Sequence, residues 1–356
     1  GNEIAQHVAP YVGVLSHLPG LRSPAQYPLA VDVARWQGEP VAVIVCTSRA
    51  LGEDALELIE IDYEQLPAVT DTLQALAPNS PLIHEEYDSN LAWQRQVEVG
   101  SLEEALQQDD VVVVEKQIKF GRHTGVTLET RATVCDYIPG DEELIMYYSG
   151  QAPHMLQFIL AKHLDMLEEN VRVVAHDVGG SFGIKVHTYG DEIATAILAK
   201  LLKRPVKFTA DRLESFVTDI HARDHVVDAK IGVKQDGTIV GMGFNDFTGI
   251  GPFSMYPRTS AIECNQILNL TGAPYQFEHY SATGKVVFQN KTLMCQYRAV
   301  GHPIAMAISD CMIEEAARKI NMDPVQIRRK NLIPDDAYPT KSATGMRFDD
   351  LSHHAC

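Results

Sequence analysis

The sequence predicts an α+β protein of mixed α/β pattern, and three observations point there. Val41–Cys46 and Val111–Val114 are short apolar, β-branched runs of the kind that form buried strands, and Val171-Arg172-Val173-Val174 reads as another strand. Between such runs lie segments with helical starts, marked by Ser48, Ser101 and Pro153. Gln235-Asp236-Gly237 separates two long alternating stretches and reads as a hairpin turn.

Taken in order, residues 1–28 hold several Gly and Pro without sustained periodicity and read as an irregular edge. Val41–Cys46 is expected to be a strand buried on both faces. Ser48 caps a helix reaching about Glu57, and Leu58–Tyr63 alternates as a second strand, completing one α/β unit. Asp71–Asn90 is loop-rich. Gly100–Leu106 reads as a short helix with Ser101 and Glu104 at capping-box spacing, before the Val111 strand. The change to longer strands places a domain boundary between residues 90 and 115, giving parts 1–100 and 101–356.

In the second part Leu144–Tyr148 reads as a strand, followed by a helix from Pro153 to Leu167. That helix carries Met155, Phe158, Ile159 and Leu160 on one side. A strand at Val171–Val174, a helix at Tyr189–Leu202 and a strand at Pro205–Phe208 follow. Further strands are expected at 224–232, 238–247 and 284–288, and a last helix at Ile304–Ile320.

A chain of 356 residues, 45% hydrophobic, has material for two or three domains with real cores. Its 47 acidic residues outnumber 30 basic ones, for a net charge of −17. That balance argues against nucleic acid or an anionic membrane as the main partner. It leaves room for an anionic ligand held by backbone N–H groups and one or two Arg. The longest apolar run, Ala194–Leu202, is broken by Lys200 and falls short of the roughly 20 residues a membrane helix needs. Cysteines stand at 46, 135, 264, 295, 311 and 356 with no C-x-x-C pair, and most have apolar neighbours. Buried, reduced thiols and a cytoplasmic location are therefore expected. His123, His187, His302, His353 and His354 share no metal-ligand spacing, so no protein-ligated metal is expected, and a His354–Cys356 pairing reads as a frayed end.

Three junctions before helices carry the candidate chemistry. Gly179-Gly180-Ser181-Phe182-Gly183 matches neither a dinucleotide fingerprint nor a P-loop. It is a tight turn or a ligand cradle, and the large apolar Phe182 inside it favours a site. In Gly150-Gln151-Ala152-Pro153-His154, Gln151 offers a donor and an acceptor, the bland alternative being a capped helix start. In Gln296–Pro303, Arg298 is a permanent cation that suits an anionic or oxo ligand, or else closes a loop by a salt bridge. Glu129, ahead of a strand, either holds a loop or lines a cleft, and the structural role is the expected one. Such junctions converge where α/β proteins place ligands. The residues alone therefore imply a large polar ligand, with no evident nucleophile or base.

The order of these segments resembles the molybdenum-binding subunit of the xanthine dehydrogenase, aldehyde oxidase and carbon monoxide dehydrogenase family. The matching text comprises Gly38–Val43, Asp62–Val69, Gln151–His154, Gly179–Lys185, Arg204–Lys207, Tyr297–Pro303 and Asp323–Leu332, in the family's order over nearly the whole chain. The resemblance implies a truncated hammerhead α/β domain followed by the first part of a molybdopterin-binding domain. It implies that Gln151 hydrogen-bonds an oxo ligand of molybdenum and that Gly180, Ser181, Phe182 and Gly183 present backbone to the metal's surroundings and the pterin. Arg298, with Ala299, would lie beside the cofactor. Gln151 and Arg298 are thus the expected catalytic residues.

Family members hydroxylate an aromatic heterocycle or aldehyde carbon with oxygen from water, and electrons leave through iron–sulfur centres to FAD. By this resemblance the cofactor is molybdopterin, in its cytosine dinucleotide form, with molybdenum. Fe–S and FAD would sit on partner subunits or domains, and either a second molybdopterin-domain polypeptide completes the site or the chain is a fragment whose further segment does so. Several residues depart from the pattern. Ser181 stands where the family usually has Gly, and Ala299 where carbon monoxide dehydrogenase has a copper-bound Cys. Val186 and Val300 replace the Glu and Phe with which purine-oxidising members hold substrate. The family's general-base Glu and the start of the first domain have no counterpart, so a lone copy is not expected to turn over. The rival readings are a non-catalytic scaffold of the same fold and a simple nucleotide-binding protein.

Overall fold

The computed structural model describes residues 1–13 and 18–355, so the weighed His354–Cys356 pairing lies partly outside the described residues. Two sheets organise the chain, each with its own core. The first holds β1 (Leu91–Val99), β2 (Val111–Phe120), β7 (His225–Lys234), β8 (Ile239–Gly249) and β9 (His279–Val287), in the order β1-β9-β8-β7-β2. The second holds β3 (Ala132–Ile138), β4 (Glu143–Tyr148), β5 (Val171–Val174) and β6 (Val206–Thr209), in the order β5-β4-β3-β6. A short β10–β11 pair, Thr340–Lys341 with Arg347–Phe348, follows near the end. Helices and sheets of mixed orientation make this the α+β fold that the sequence predicts.

In the five-stranded sheet β7 and β8 form the expected hairpin, with Gly237 at φ 84° in its turn. Helices α8 (Ile262–Leu270), α9 (His302–Ile320) and α10 (Pro324–Asn331) contribute Ile267, Leu268, Ile308, Met312, Ile313 and Ile327 to its core. The short α4 (Leu102–Leu106) lays Leu102 and Leu106 over Gly232, Gly241 and Gly243, where a Cβ would collide with them. Ser101 precedes α4 but its hydroxyl makes no cap bond, so the expected capping box does not form. Ser101 N–H donates instead to His279 Nδ1 at 3.1 Å. The expected division near residue 100 falls between β1 and β2, the two edge strands of this one sheet.

In the four-stranded sheet β4 and β5 are parallel and joined through α5 (Pro153–His163). Leu156, Ile159, Leu160 and His163 form the buried stripe of α5, at helical i, i+3, i+4, i+7 spacing. The expected face included Phe158, which is 51% exposed, because its position lies off that stripe. Helix α6 (Gly190–Leu202) packs Ile193, Ala196 and Ile197 into the same core. A third, small cluster joins the bodies: Ile184, Tyr189, Ile220, Phe253, Met255, Leu293 and Cys295. It holds the residue after Gly183 and the one before Gln296, and so lies beneath two of the candidate loops.

The N-terminal α/β unit departs from expectation. Its helix forms as α2 (Arg49–Leu56), with Ser48 Oγ accepting from Leu51 N–H. The flanking segments 41–46 and 58–63 form no strands. Val43 is 40% exposed and Leu58 82%, and no residue of either segment is fully buried. Alternation and β-branching favour extended backbone, but a strand needs a neighbour's backbone groups, and no described segment supplies them. Cys46 is accordingly exposed, as is Cys311, while Cys135, Cys264 and Cys295 are the buried thiols expected. Burial pushes Cys135 and Cys295 up to about 12. The remaining helices are α1 (Asn2–Ala5), α3 (Thr72–Ala75) and α7 (Arg212–Thr218). No helix among the described residues is long and apolar enough to cross a membrane.

Candidate functional site

Two of the three junctions sit at the carboxyl ends of the parallel pair β4 and β5, the edge at which α/β units bind ligands. After β4 the chain turns sharply at Gly150, where a Cβ would fall 1.9 Å from the Tyr148 ring. Tyr148 Oη accepts from Ala152 N–H at 2.8 Å, and Gln151 N–H donates to Lys185 O at 3.2 Å. The Gln151 side chain does not cap α5. Its Oε1 accepts from the Ser181 hydroxyl and, at 3.3 Å, from Gly183 N–H. Both partners are donors, which assigns the oxygen to that side and leaves the Nε2 amide without an acceptor among the described residues.

The loop after β5 is held from below. Glu129 Oε2 accepts from Gly179 N–H at 2.7 Å, Ser149 Oγ at 2.6 Å and Lys185 Nζ at 2.9 Å. Partial burial pushes the Glu129 carboxyl up, but these hydrogen bonds outweigh it and hold it below the ordinary range. Lys185, 1% exposed, also donates to Ser149 Oγ at 2.6 Å. Glu129 therefore holds a loop, as expected, with Lys185 as its unanticipated partner. Above them Gly180 (φ 101°), Phe182 (φ 54°) and Gly183 (φ 98°) are left-handed. For a Phe that conformation is uncommon, and its side chain is 45% exposed.

The third junction docks onto this loop through Arg298 N–H, which donates to Phe182 O at 2.8 Å. Gly183 permits the approach, since a Cβ there would lie 2.9 Å from Gln296 O. Beyond Arg298 the chain makes a strained turn, with Ala299 at φ 67° and Val300 at φ 51°. Val300 N–H donates to Tyr297 O at 2.7 Å, and Ala299 O meets His302 N–H at 3.0 Å and His302 Nδ1 at 2.8 Å. The exposed Arg298 guanidinium makes no ion pair among the described residues, so the loop-closing salt bridge is not its role. Strained backbone at functional loops persists where its surroundings over-determine it.

Gln151, Gly180, Ser181, Phe182, Gly183, Arg298 and Ala299 are thus brought together. The N–H groups of Ser181, Phe182 and Ala299 find no acceptor among the described residues. With the Gln151 amide and Arg298 they make a cluster rich in unused donors, suited to an anionic or oxo-bearing ligand. No group of three or more His, Cys, Asp or Glu among the described residues could hold a metal ion directly.

Behind the Arg298 turn lies a buried charge chain that the sequence reading missed. His225 Nδ1 lies 2.9 Å from Asp246 Oδ1, and its Nε2 3.0 Å from Glu263 Oε1, all with side chains 0% exposed. Burial opposes the imidazolium, but the Asp246 and Glu263 carboxylates outweigh it and push His225 up to about 10. The folded chain therefore binds this proton more tightly than the unfolded one. Its stabilisation is complete below about pH 6.5 and is lost as pH rises through about 10. Urea unfolding between those limits is expected to show a falling midpoint, and His225→Asn is expected to make that fall shallower.

A family model for a molybdopterin cofactor-binding domain matches residues 83–332. The chain is 29% identical over 332 residues to the nicotine 6-hydroxylase large subunit of Paenarthrobacter nicotinovorans, covering 91% of this chain and 39% of that one. It is 26% identical to the carbon monoxide dehydrogenase large chain of Hydrogenophaga pseudoflava, covering 96% and 44%. The crystal structure of quinoline 2-oxidoreductase from Pseudomonas putida 86 superposes with a TM-score of 0.93 at 28% identity, over 98% of this chain and 44% of that one. The chain spans about two fifths of the length of these relatives. With well over half of its residues matched by that model, the chain belongs to the molybdopterin cofactor-binding domain family.

Proposed function

We propose that this chain is the cofactor-holding part of a molybdenum hydroxylase that oxidises an aromatic heterocycle or aldehyde carbon with oxygen from water. The supporting observation is the meeting of Gln151, the Gly180–Gly183 loop and the Arg298 turn, with donors left over on all three. An N-heteroaromatic substrate is favoured by the nicotine and quinoline in the relatives' names. Val186 is buried and Val300 half-buried, so neither presents a carboxylate or an aromatic ring to a purine. The proposal includes the cytosine dinucleotide form of molybdopterin, electron transfer to Fe–S and FAD partners, a second polypeptide or segment completing the pocket, and a reducing cytoplasm. It also keeps residues 1–100 and 101–356 as hammerhead and cofactor-binding parts.

The residues present fit such a group: unused N–H donors on the Gly180–Gly183 loop and the Ala299 turn, and an exposed guanidinium without an ion pair among the described residues. When bound, the cofactor supplies a two-electron redox centre for oxygen insertion into a C–H bond. This chain's share is positional. Gln151, with its oxygen engaged by Ser181 and Gly183, has its Nε2 amide free among the described residues and would donate it to an oxo atom of the bound group. Ser181, Phe182 and Ala299 offer backbone N–H to oxygen-rich parts of the ligand, and Arg298 adds a permanent positive charge beside them.

In the assembled enzyme, Gln151→Ala and Arg298→Ala are each expected to lower turnover on the order of tenfold to a hundredfold. Wild-type turnover and molybdenum content in both variants would overturn the site. A natively purified complex without stoichiometric molybdenum would make the chain a non-catalytic scaffold instead. Stabilisation by ATP or NAD in a thermal-shift titration would favour a nucleotide-binding protein.

A further inference from the structure

The charge chain behind the Arg298 turn continues to the turn itself. Arg223, 5% exposed and left-handed at φ 66°, donates from Nη2 to Arg298 O at 2.6 Å and from Nη1 to Glu263 Oε2 at 2.6 Å. Its backbone N–H also donates to Glu263 Oε1 at 3.3 Å. Glu263, in the first turn of α8, is shared with His225 of β7, and His225 with Asp246 of β8. Asp246 Oδ2 accepts in turn from Thr248 Oγ1 at 2.8 Å. The chain thus runs from the interior of the five-stranded sheet to one backbone carbonyl on the cofactor side.

Such a row of buried charges is poor evidence of a stability role, since well-packed apolar residues of the same volume serve folding as well or better. It does over-determine one point. Arg298 has its N–H bound to Phe182 O and its carbonyl bound to Arg223, so the peptide units on both sides of it are fixed. The left-handed Ala299 and Val300 follow immediately.

We propose that Arg223 is a positioning residue of the molybdenum site: braced by Glu263, His225 and Asp246, it grips the Arg298 carbonyl and keeps the strained Ala299–Val300 turn against the Gly180–Gly183 loop. The inference rests on the function proposed above, and one of its readouts does not depend on that function. Arg223→Met removes the grip but strands Glu263. The double variant Arg223→Met/Glu263→Gln removes the grip without a stranded charge, leaving the His225–Asp246 pair balanced.

In the assembled enzyme, hydrogen exchange at 298–302 is expected to speed up by about tenfold or more in the double variant, with β7 and β8 protected as in wild type. Turnover should fall on the order of tenfold to a hundredfold with little change in KM, and Arg223→Lys should recover part of it. Wild-type exchange at 298–302, or an even loss of protection across β7, β8 and the turn, would overturn the proposal. If the wild-type complex lacks molybdenum, the functional reading fails, and the exchange at 298–302 still decides whether Arg223 holds the turn.

Discussion

Replacing Arg131 by methionine is expected to destabilise the chain by about 3–5 kcal/mol, the cost of breaking a buried ion pair from one side. Arg131 is 1% exposed and immediately precedes β3. Its guanidinium donates to Asp219 Oδ1 at 2.7 Å, to Thr218 Oγ1 at 2.7 Å and to Asp191, and lies 3.8 Å from the centre of the Tyr189 ring. Methionine fills much of the volume but leaves Asp219, whose side chain is 1% exposed, charged and unpaired. The check is a urea titration, with a lower midpoint at unchanged slope. Asp219→Asn added to Arg131→Met should recover part of the loss. A loss under about 1 kcal/mol, the range of surface ion pairs, would show that water reaches the cluster.

Gly183→Val is expected to produce the largest functional loss, on the order of a hundredfold in turnover of the assembled enzyme. Valine at φ 98° is strained by about 1–3 kcal/mol before any contact is considered. Its Cβ would also stand 2.9 Å from Gln296 O and 3.2 Å from Tyr297 Cα, forcing the two loops apart. That separation breaks the Arg298–Phe182 bond and removes a donor from Gln151. The sheets are untouched, so unfolding should change far less than turnover and molybdenum content. Wild-type values of both in the variant would mean that the closeness of the loops is irrelevant to the chemistry.

The sequence made strands legible where a buried sheet face imposes a pattern, as in His225–Lys234, and where β-branched residues run together, as in Val111–Val114. The same pattern misled at 41–46 and 58–63, because periodicity records a preference for extended backbone and not the presence of a neighbour. Edge strand β1 was missed: Leu91–Val99 mixes Trp, Gln, Arg and Glu, and only its pairing with β9 makes it a strand. Helices α7, α8 and α10 are short, and tertiary packing stabilises them more than their own sequence does.

The three site loops were visible because Gly, Pro and one odd aromatic punctuate them. What supports them was not. Nothing in local text pairs Glu129 with Lys185, or Arg223 with a glutamate forty positions away, since such partners are chosen by topology.

The docking of Arg298 onto Phe182 joins a loop of the four-stranded sheet to a turn that leads into α9. Neither half of the chain therefore owns a complete receptacle. On the function proposed above, the nascent polypeptide assembles its own share of that receptacle only after both sheets have formed and closed on each other, which would make loading of the prosthetic group a late event in maturation. A ligand that grips both loops then acts as a rivet between the halves, and the loaded chain should resist heat and proteases better than the empty one.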